Sequence, residues 1–188
     1  MNNTIIDLNK VLNKGSLENE LDFERASVID RKLRVLMKEH PELAGKRRKL
    51  RAILKEYEKK VWTGDNITSA KIMESDLAEL IAEQERVFLH KRKELIRKRL
   101  QVFSLTQKDL GKILGHSSVT YISELVNGIN PFTTHDLIII HLLLKIDFKD
   151  LIPTMLDVNE RVKLSNAISD LGNPRIKLNE RSMALVAC

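Results

Sequence analysis

The sequence predicts an all-α protein, and three observations support that fold class. Aromatic residues make up only 4% of the 188 residues, and Leu, Ile, Lys, Arg and Glu dominate instead, which favours helix over sheet. Only four prolines interrupt the chain. Apolar residues recur at intervals of three and four over long stretches, which is the spacing of one helical face. The chain is long enough to bury a core of its own.

The first 62 residues are predicted to form amphipathic helices. We expect residues 1–24 to pack on the rest of the chain or to become ordered with a partner. The spacing of apolar residues on one face predicts a helix over residues 25–40. We expect it to end there, because Pro41 disfavours helix at His40. A second helix is predicted over residues 46–62, and its basic face is interpreted as a solvated surface.

A single long helix is predicted from residue 72 to about residue 102. Its apolar residues are spaced by three, four and seven, which is typical of a helical hairpin or a coiled-coil seam. Its first half is rich in Glu, whereas residues 86–100 hold seven basic residues and one glutamate. This order suits the helix macrodipole. We expect the end of this helix to open the next domain, with a helical border near residues 85–90.

Two short helices joined by a tight turn are predicted between residues 104 and 128. Thr106 is a good N-cap for the first, and Gly115 can take the left-handed conformation that ends it. Either Ser117 or Ser118 can cap the second helix, which closes at Asn127 and the glycine after it. This is the geometry of a helix-turn-helix, whose second helix can enter a DNA major groove.

These segments also carry a resemblance to a known family. LTQKDLGKILG, then SVTYISELVNG, then a Pro-containing loop and an apolar helix ending in DFKDLIP resemble the XRE/Cro-CI family of helix-turn-helix regulators. The resemblance implies a lambda-repressor-like domain in which Gln107 clamps a DNA phosphate and braces the reading helix. The DNA-binding residues that it implies are Gln107, Lys108, Lys112, Ser117, Ser118, Val119, Thr120, Tyr121, Ser123, Glu124 and Asn127.

The chain departs from the family pattern at three places. The turn GHSS is one residue longer than usual. Val119, Thr120 and Tyr121 stand where members often carry Arg, Lys or Gln, which can make bidentate bonds to bases. The loop holds Ile129 and Asn130 where members often have basic residues. Residues 104–153 carry four lysines against five acids, so we expect phosphate affinity to come from Lys108, Lys112 and the basic end of the long helix, doubled in a dimer.

These patterns divide the chain into three parts. Residues 1–85 are predicted to be an amphipathic helical region for dimer or partner binding. Residues 86–153 would form the helix-turn-helix domain, and residues 154–188 a C-terminal helix, capped by Asp157, and a tail.

The predicted function is a sequence-specific transcriptional regulator, a repressor that binds double-stranded operator DNA as a homodimer. Similarity to HigA-type antitoxins implies a small toxin protein as a further partner. The alternative is a protein-interaction module with a degenerate helix-turn-helix that no longer reads DNA.

Catalytic and metal-binding patterns are missing from the sequence. None of the five histidines stands at metal-ligand spacing with Cys, Asp or Glu, and HExxH, CxxC, GxSxG and Gly-rich phosphate loops do not occur. We therefore expect no enzyme activity, no metal and no cofactor. The longest apolar run is too short to span a membrane, and no secretory signal is visible, so the expected compartment is the cytoplasm. The single cysteine, Cys188, excludes an internal disulfide.

Overall fold

The computed structural model describes residues 6–64, 67–153, 158–173 and 175–176, and within these ranges the chain is all-α, as predicted. None of the described helices is long and apolar enough to cross a membrane. The predicted cap Asp157 and most of the tail lie outside the described residues. The helices are α1 Leu8–Lys14, α2 Glu20–Leu36, α3 Ala44–Val61, α4 Ser69–Val102, α5 Gln107–Ile113, α6 Val119–Val126, α7 Thr134–Leu144, α8 Phe148–Leu151 and α9 Val158–Leu171, with a short 3₁₀ helix Pro41–Leu43 before α3.

Helices α2, α3 and α4 form an N-terminal bundle. Arg47 at the start of α3 donates to Asp30 near the end of α2, with 2.9 Å between Nε and Oδ1, so these two helices are antiparallel. Arg25 of α2 donates to Glu85 of α4 at 2.8 Å. The long helix is present as predicted and begins at Ser69, where Thr68 caps it.

One buried carboxylate ties the three helices together at one end. Glu20 is only 5% exposed, and it accepts hydrogen bonds from the Tyr57 hydroxyl at 3.1 Å, the Trp62 indole N–H at 3.3 Å and the Ser75 hydroxyl at 3.1 Å. These three donors replace the water that the carboxylate loses on folding. Burial and the nearby Glu20 raise the pKa of Tyr57 above its usual range, so Tyr57 stays a neutral donor.

The second half of the chain packs helices α5 to α8 against the end of α4. Thr106 and Asp109 form a capping box at the start of α5. Of the two serines that could cap α6, Ser117 and Ser118, the structure has Ser118 as the cap. Gly115, in the turn before them, has a left-handed backbone with a φ of +77°. The core residues of this half are Ile96, Leu100, Leu110, Leu114, Ile122, Leu125, Val126, Phe132, Ile140, Leu144, Ile146 and Leu151.

The loop after α6 joins the two halves. Ile129 is completely buried, and it belongs to the core of the N-terminal helices rather than to that of the helix-turn-helix. The preceding Gly128 has a φ of +65° and packs directly on Leu89 of α4. The other residues of that core are Leu8, Ala26, Ile29, Leu33, Leu36, Leu43 and Leu50.

Gly128→Ala is expected to lower the free energy of unfolding by about 3 kcal/mol, since it combines left-handed backbone strain with overpacking. An added Cβ would lie 2.9 Å from Leu89 Cδ1, and Leu89 is only 6% exposed. Gly15→Ala is the control, because Gly15 has a similar φ of +73° but open space around it, so its loss should be about 1 kcal/mol. Urea unfolding measures both. Equal losses would show that Leu89 moves aside freely.

Candidate nucleic-acid interface

Helix α6 is the helix that the sequence predicts to read DNA. Its first turn is fixed by Ser118, whose hydroxyl accepts the Tyr121 backbone N–H at 3.1 Å. Ile122, Leu125 and Val126 are buried in the core, so that one face of the helix is committed to packing. The residues predicted to contact DNA lie around the rest of α6 and on α5.

Five of the predicted DNA-binding residues are exposed. Lys108 and Lys112 lie on the outside of α5, and Ser117 and Ser118 lie in the turn before α6. Val119, at the start of α6, is 48% exposed. Lysine side chains and the first backbone N–H groups of a helix can both bind phosphate oxygens. This part of the interface is available to a duplex.

Glu124, in contrast, is held inside the chain. Its side chain is only 1% exposed, and it accepts from Lys46 Nζ at 2.6 Å and from Asn130 Nδ2 at 2.7 Å. Asn130 in turn accepts the backbone N–H of Asn9 at 3.3 Å, which brings in α1. Residues from α1 and α3 therefore cover this position of α6.

Thr120 and Tyr121 are half-buried, and each has a partner. The Thr120 hydroxyl donates to the carboxylate of Glu42, which lowers the pKa of Glu42, and it lies 3.4 Å from His40 Nδ1. The Tyr121 ring packs edge-on against His116 with 5.3 Å between ring centroids, and burial raises the pKa of its hydroxyl. The turn between α2 and α3 thus occupies the middle of the reading face.

The remaining three predicted residues line one end of a groove between α2 and α4. Ser123 is only 4% exposed. Asn127 donates from Nδ2 to the Ser123 carbonyl at 2.8 Å, and Gln107 is half-buried beside them. Contact between Ser123, Glu124 or Thr120 and DNA remains a prediction that requires the N-terminal helices to move.

The basic stretch of α4 does not form one continuous phosphate-binding surface. Arg92 is 2% exposed and donates from Nη1 to the Leu151 carbonyl at 3.2 Å, which makes it part of the core. Arg99 donates to the Lys145 carbonyl at the end of α7 at 3.1 Å. Lys91 and Lys98 are exposed and remain able to contact phosphate.

Sequence reasoning missed the residues that cover α6, namely His40, Glu42, Lys46 and Asn130. Only one signal in the sequence pointed to them. Ile129 and Asn130 stand where the resemblance predicted basic residues, and both contact the N-terminal helices. These two positions belong to an internal contact surface.

Among the described residues, no group of three or more His, Cys, Asp or Glu side chains could hold a metal ion. Comparisons of the chain with protein-family models, with curated proteins and with solved structures find no match. A functional assignment must therefore be argued from the geometry of α5 and α6 and from what covers them.

Proposed function

We propose that this chain is a sequence-specific DNA-binding transcriptional regulator, a repressor whose reading helix is covered by its own N-terminal helices in the conformation described. The observation that carries the proposal is the capped α5–α6 pair. Its two short helices are joined by a turn at Gly115, and the start of α6 is exposed at Ser118 and Val119. This is the arrangement that lets a helix N-terminus enter a major groove.

The residues of the α2–α3 turn and of α3 that cover α6 would compete with DNA for the same side chains. Thr120 and Glu124 bind residues of the α2–α3 turn and of α3, so a duplex that contacts them must displace that segment. The contacts at these two positions are polar, and a charged duplex can compete for polar groups. DNA binding and closure of the N-terminal helices are therefore mutually exclusive at these positions.

The homodimer and the toxin partner are parts of the same proposal. Exposed apolar residues of α7, Ile138 at 41% and Leu142 at 69%, support a dimer because a second copy would remove them from water. Two copies would double the phosphate contacts of one domain. A small toxin protein as partner of the N-terminal helices rests on the resemblance to HigA-type antitoxins.

A gel shift with an opened variant tests the proposal. Glu42→Ala/Lys46→Met removes the two charged side chains that bind Thr120 and Glu124 and leaves the net charge unchanged. We expect it to bind the promoter DNA of its own gene at least about tenfold more tightly than the wild-type chain, because the cost of opening is lost. Adding Thr120→Ala and Tyr121→Ala should remove the preference for promoter over random DNA.

The matched control is Glu56→Ala/Lys49→Met, which is also neutral in charge and changes two exposed residues of α3. It should bind as the wild-type chain does. Each variant is measured at two salt concentrations, since phosphate contacts weaken with salt. If promoter and random DNA bind equally in every variant, the chain is not a sequence-specific regulator.

One observation favours a second candidate function, a protein-interaction module. Glu124 and Ser123 are buried and Ile129 belongs to the N-terminal core, so the helix-turn-helix serves as a structural part of the closed chain. Such a module needs no DNA. It predicts that the opened variant gains no promoter affinity while a neighbouring gene product still copurifies with the chain.

A further inference from the structure

A groove of about 910 Å³ lies between α2 and α4 and ends at the helix-turn-helix. Its apolar residues include Val28, Leu36 and Leu89, all of them buried or nearly so. Small-molecule sites usually have volumes of this order, and in this groove charged and polar side chains outnumber the apolar ones. The groove is therefore large enough for a small ligand.

Most of the charges along the groove are grouped by sign, and Glu39 and Glu83 are also part of its lining. Glu24, Asp76 and Glu79 line the part near the beginnings of α2 and α4. Lys32 and Lys93, with Arg31 and Arg97, line the part nearer the helix-turn-helix, which we call the basic end. An extended nucleic-acid strand would meet the acidic part, whereas a small anion can bind at the basic end alone.

Close ion pairs do not neutralise the cations of the basic end, although Glu83 and Glu85 lie near enough to act on Arg31 and Lys32. Arg31, Lys32 and Lys93 have no ion-pair partner within 4 Å among the described residues, and Arg97 has only a loose one, 3.8 Å from the exposed Glu94. Arg86 is different, because both its Nε and Nη2 bind Glu83 at 2.6 Å. Unpaired cations along a concave wall concentrate positive potential.

A buried cation lies behind this wall. Arg92 lies near Lys32, and its guanidinium Cζ lies 5.2 Å from the centroid of the Phe132 ring. Its Nε and Nη2 are buried and find no hydrogen-bond partner within the part of the chain that the structure describes. Burial and the charges of Arg92, Arg86 and Lys93 lower the pKa of Lys32 to about 8, against a weaker opposite effect of Glu85. An anion at this place would offset that repulsion.

We propose that the basic end of the groove, formed by Arg31, Lys32, Lys93 and Arg97, binds a small phosphorylated molecule that carries at least two negative charges. Phosphoryl oxygens accept charge-assisted hydrogen bonds from several ammonium and guanidinium groups at once. The apolar floor accepts an uncharged part of the same molecule. Because Ser123 and Asn127 of α6 line the adjoining end of the groove, the ligand lies against the predicted reading helix.

Calorimetric titration with inorganic pyrophosphate at constant ionic strength tests this site without DNA, so its outcome is separate from that of the proposed function. Saturable binding of one pyrophosphate per chain is expected for the wild-type chain. Lys32→Gln and Lys93→Gln should each weaken it at least about tenfold, as expected for charge-assisted bonds. Lys55→Gln, an exposed change on α3 outside the groove, should leave it unchanged.

A second readout separates a bound anion from a change in folding. Pyrophosphate should raise the pKa of Lys32, so near pH 8 the wild-type chain should take up more protons on binding than Lys32→Gln does, a difference that titrations in two buffers of different ionisation enthalpy measure. Protons lost by pyrophosphate itself are common to both chains, and the circular dichroism spectrum of Lys32→Gln should stay that of the wild-type chain. No saturable binding to the wild-type chain, or an equal loss in Lys55→Gln, would overturn the proposal.

Discussion

Lys46→Met is expected to lower the free energy of unfolding by about 3 kcal/mol at pH 7. Lys46 Nζ lies 2.6 Å from the Glu124 carboxylate. The Glu124 side chain is 1% exposed to solvent, and the Lys46 side chain is 34% exposed. Removing the cation leaves a buried carboxylate whose remaining partner in the described part of the chain is Asn130, and breaking a buried pair in this way costs more than making it gains. Urea unfolding measures the difference.

Two further variants decide whether the buried charge is the cause. Lys46→Met/Glu124→Gln removes both charges and keeps an acceptor for Asn130, so it should regain most of the lost stability. Lys49→Met, an exposed change on α3, should cost less than about 0.5 kcal/mol. A loss below about 1 kcal/mol in Lys46→Met would mean that the pair behaves as an exposed surface salt bridge.

The size of this effect bears on DNA binding. The loss in Lys46→Met is an upper limit to what the pair contributes to closure, because it includes the cost of leaving Glu124 unpaired. Even at that limit of about 3 kcal/mol, closure would reduce the apparent affinity of the predicted reading helix by at most about a hundredfold. A partner that binds the N-terminal helices only when they are released from α6 would favour the open conformation and would therefore increase the affinity of α6 for DNA. If the chain is the repressor proposed above, the contact between Lys46 and Glu124 would affect the level of repression without touching the operator.

Local features of the fold were predictable because local chemistry decides them. Thr106 and Ser118 cap helices, and Gly115 adopts the left-handed backbone, as these residue types predict. Each of these features depends on residues within one turn of the chain. The all-α class follows in the same way from apolar spacing and few prolines.

The cover over α6 was not predictable from the sequence. Lys46 and Glu124 are 78 residues apart, and helical periodicity tells which face is apolar, not which element packs on it. The side of α6 that was predicted to face the DNA major groove carries Thr120, Ser123 and Glu124, polar residues that suit solvent or DNA equally well. Only the contacts with the N-terminal helices show that these residues are satisfied within the chain.

The burial of charged side chains was also not predictable from the sequence. Arg92 stands in a run of basic residues, and such runs normally lie on a solvated helix face, yet its side chain is 2% exposed. The position of Arg92 follows from the packing of α8 and Phe132 on α4, which is set by distant parts of the chain. The same packing places a second cation, Lys32 of α2, close to it.

Lys32→Met is expected to stabilise the chain by about 2 kcal/mol at pH 7, because it removes a poorly solvated cation that faces Arg86, Arg92 and Lys93. The pKa of Lys32 is about 8 in the folded chain and 10.5 in the unfolded chain. Below pH 8 both states are charged, so the wild-type chain carries the whole cost. Between pH 8 and 10.5 the unfolded state binds more protons, and wild-type stability rises with pH.

The difference between the two proteins should therefore be largest at pH 7 and fall towards zero as the pH rises through 8 to 10. At pH 7 it corresponds to a rise of several degrees in the melting temperature. Lys38→Met, an exposed change after the end of α2, should show no difference at any of these pH values. A gain for Lys32→Met that stays constant from pH 7 to 10 would come from apolar packing of the new side chain. It would remove the electrostatic reason for expecting an anion at the basic end.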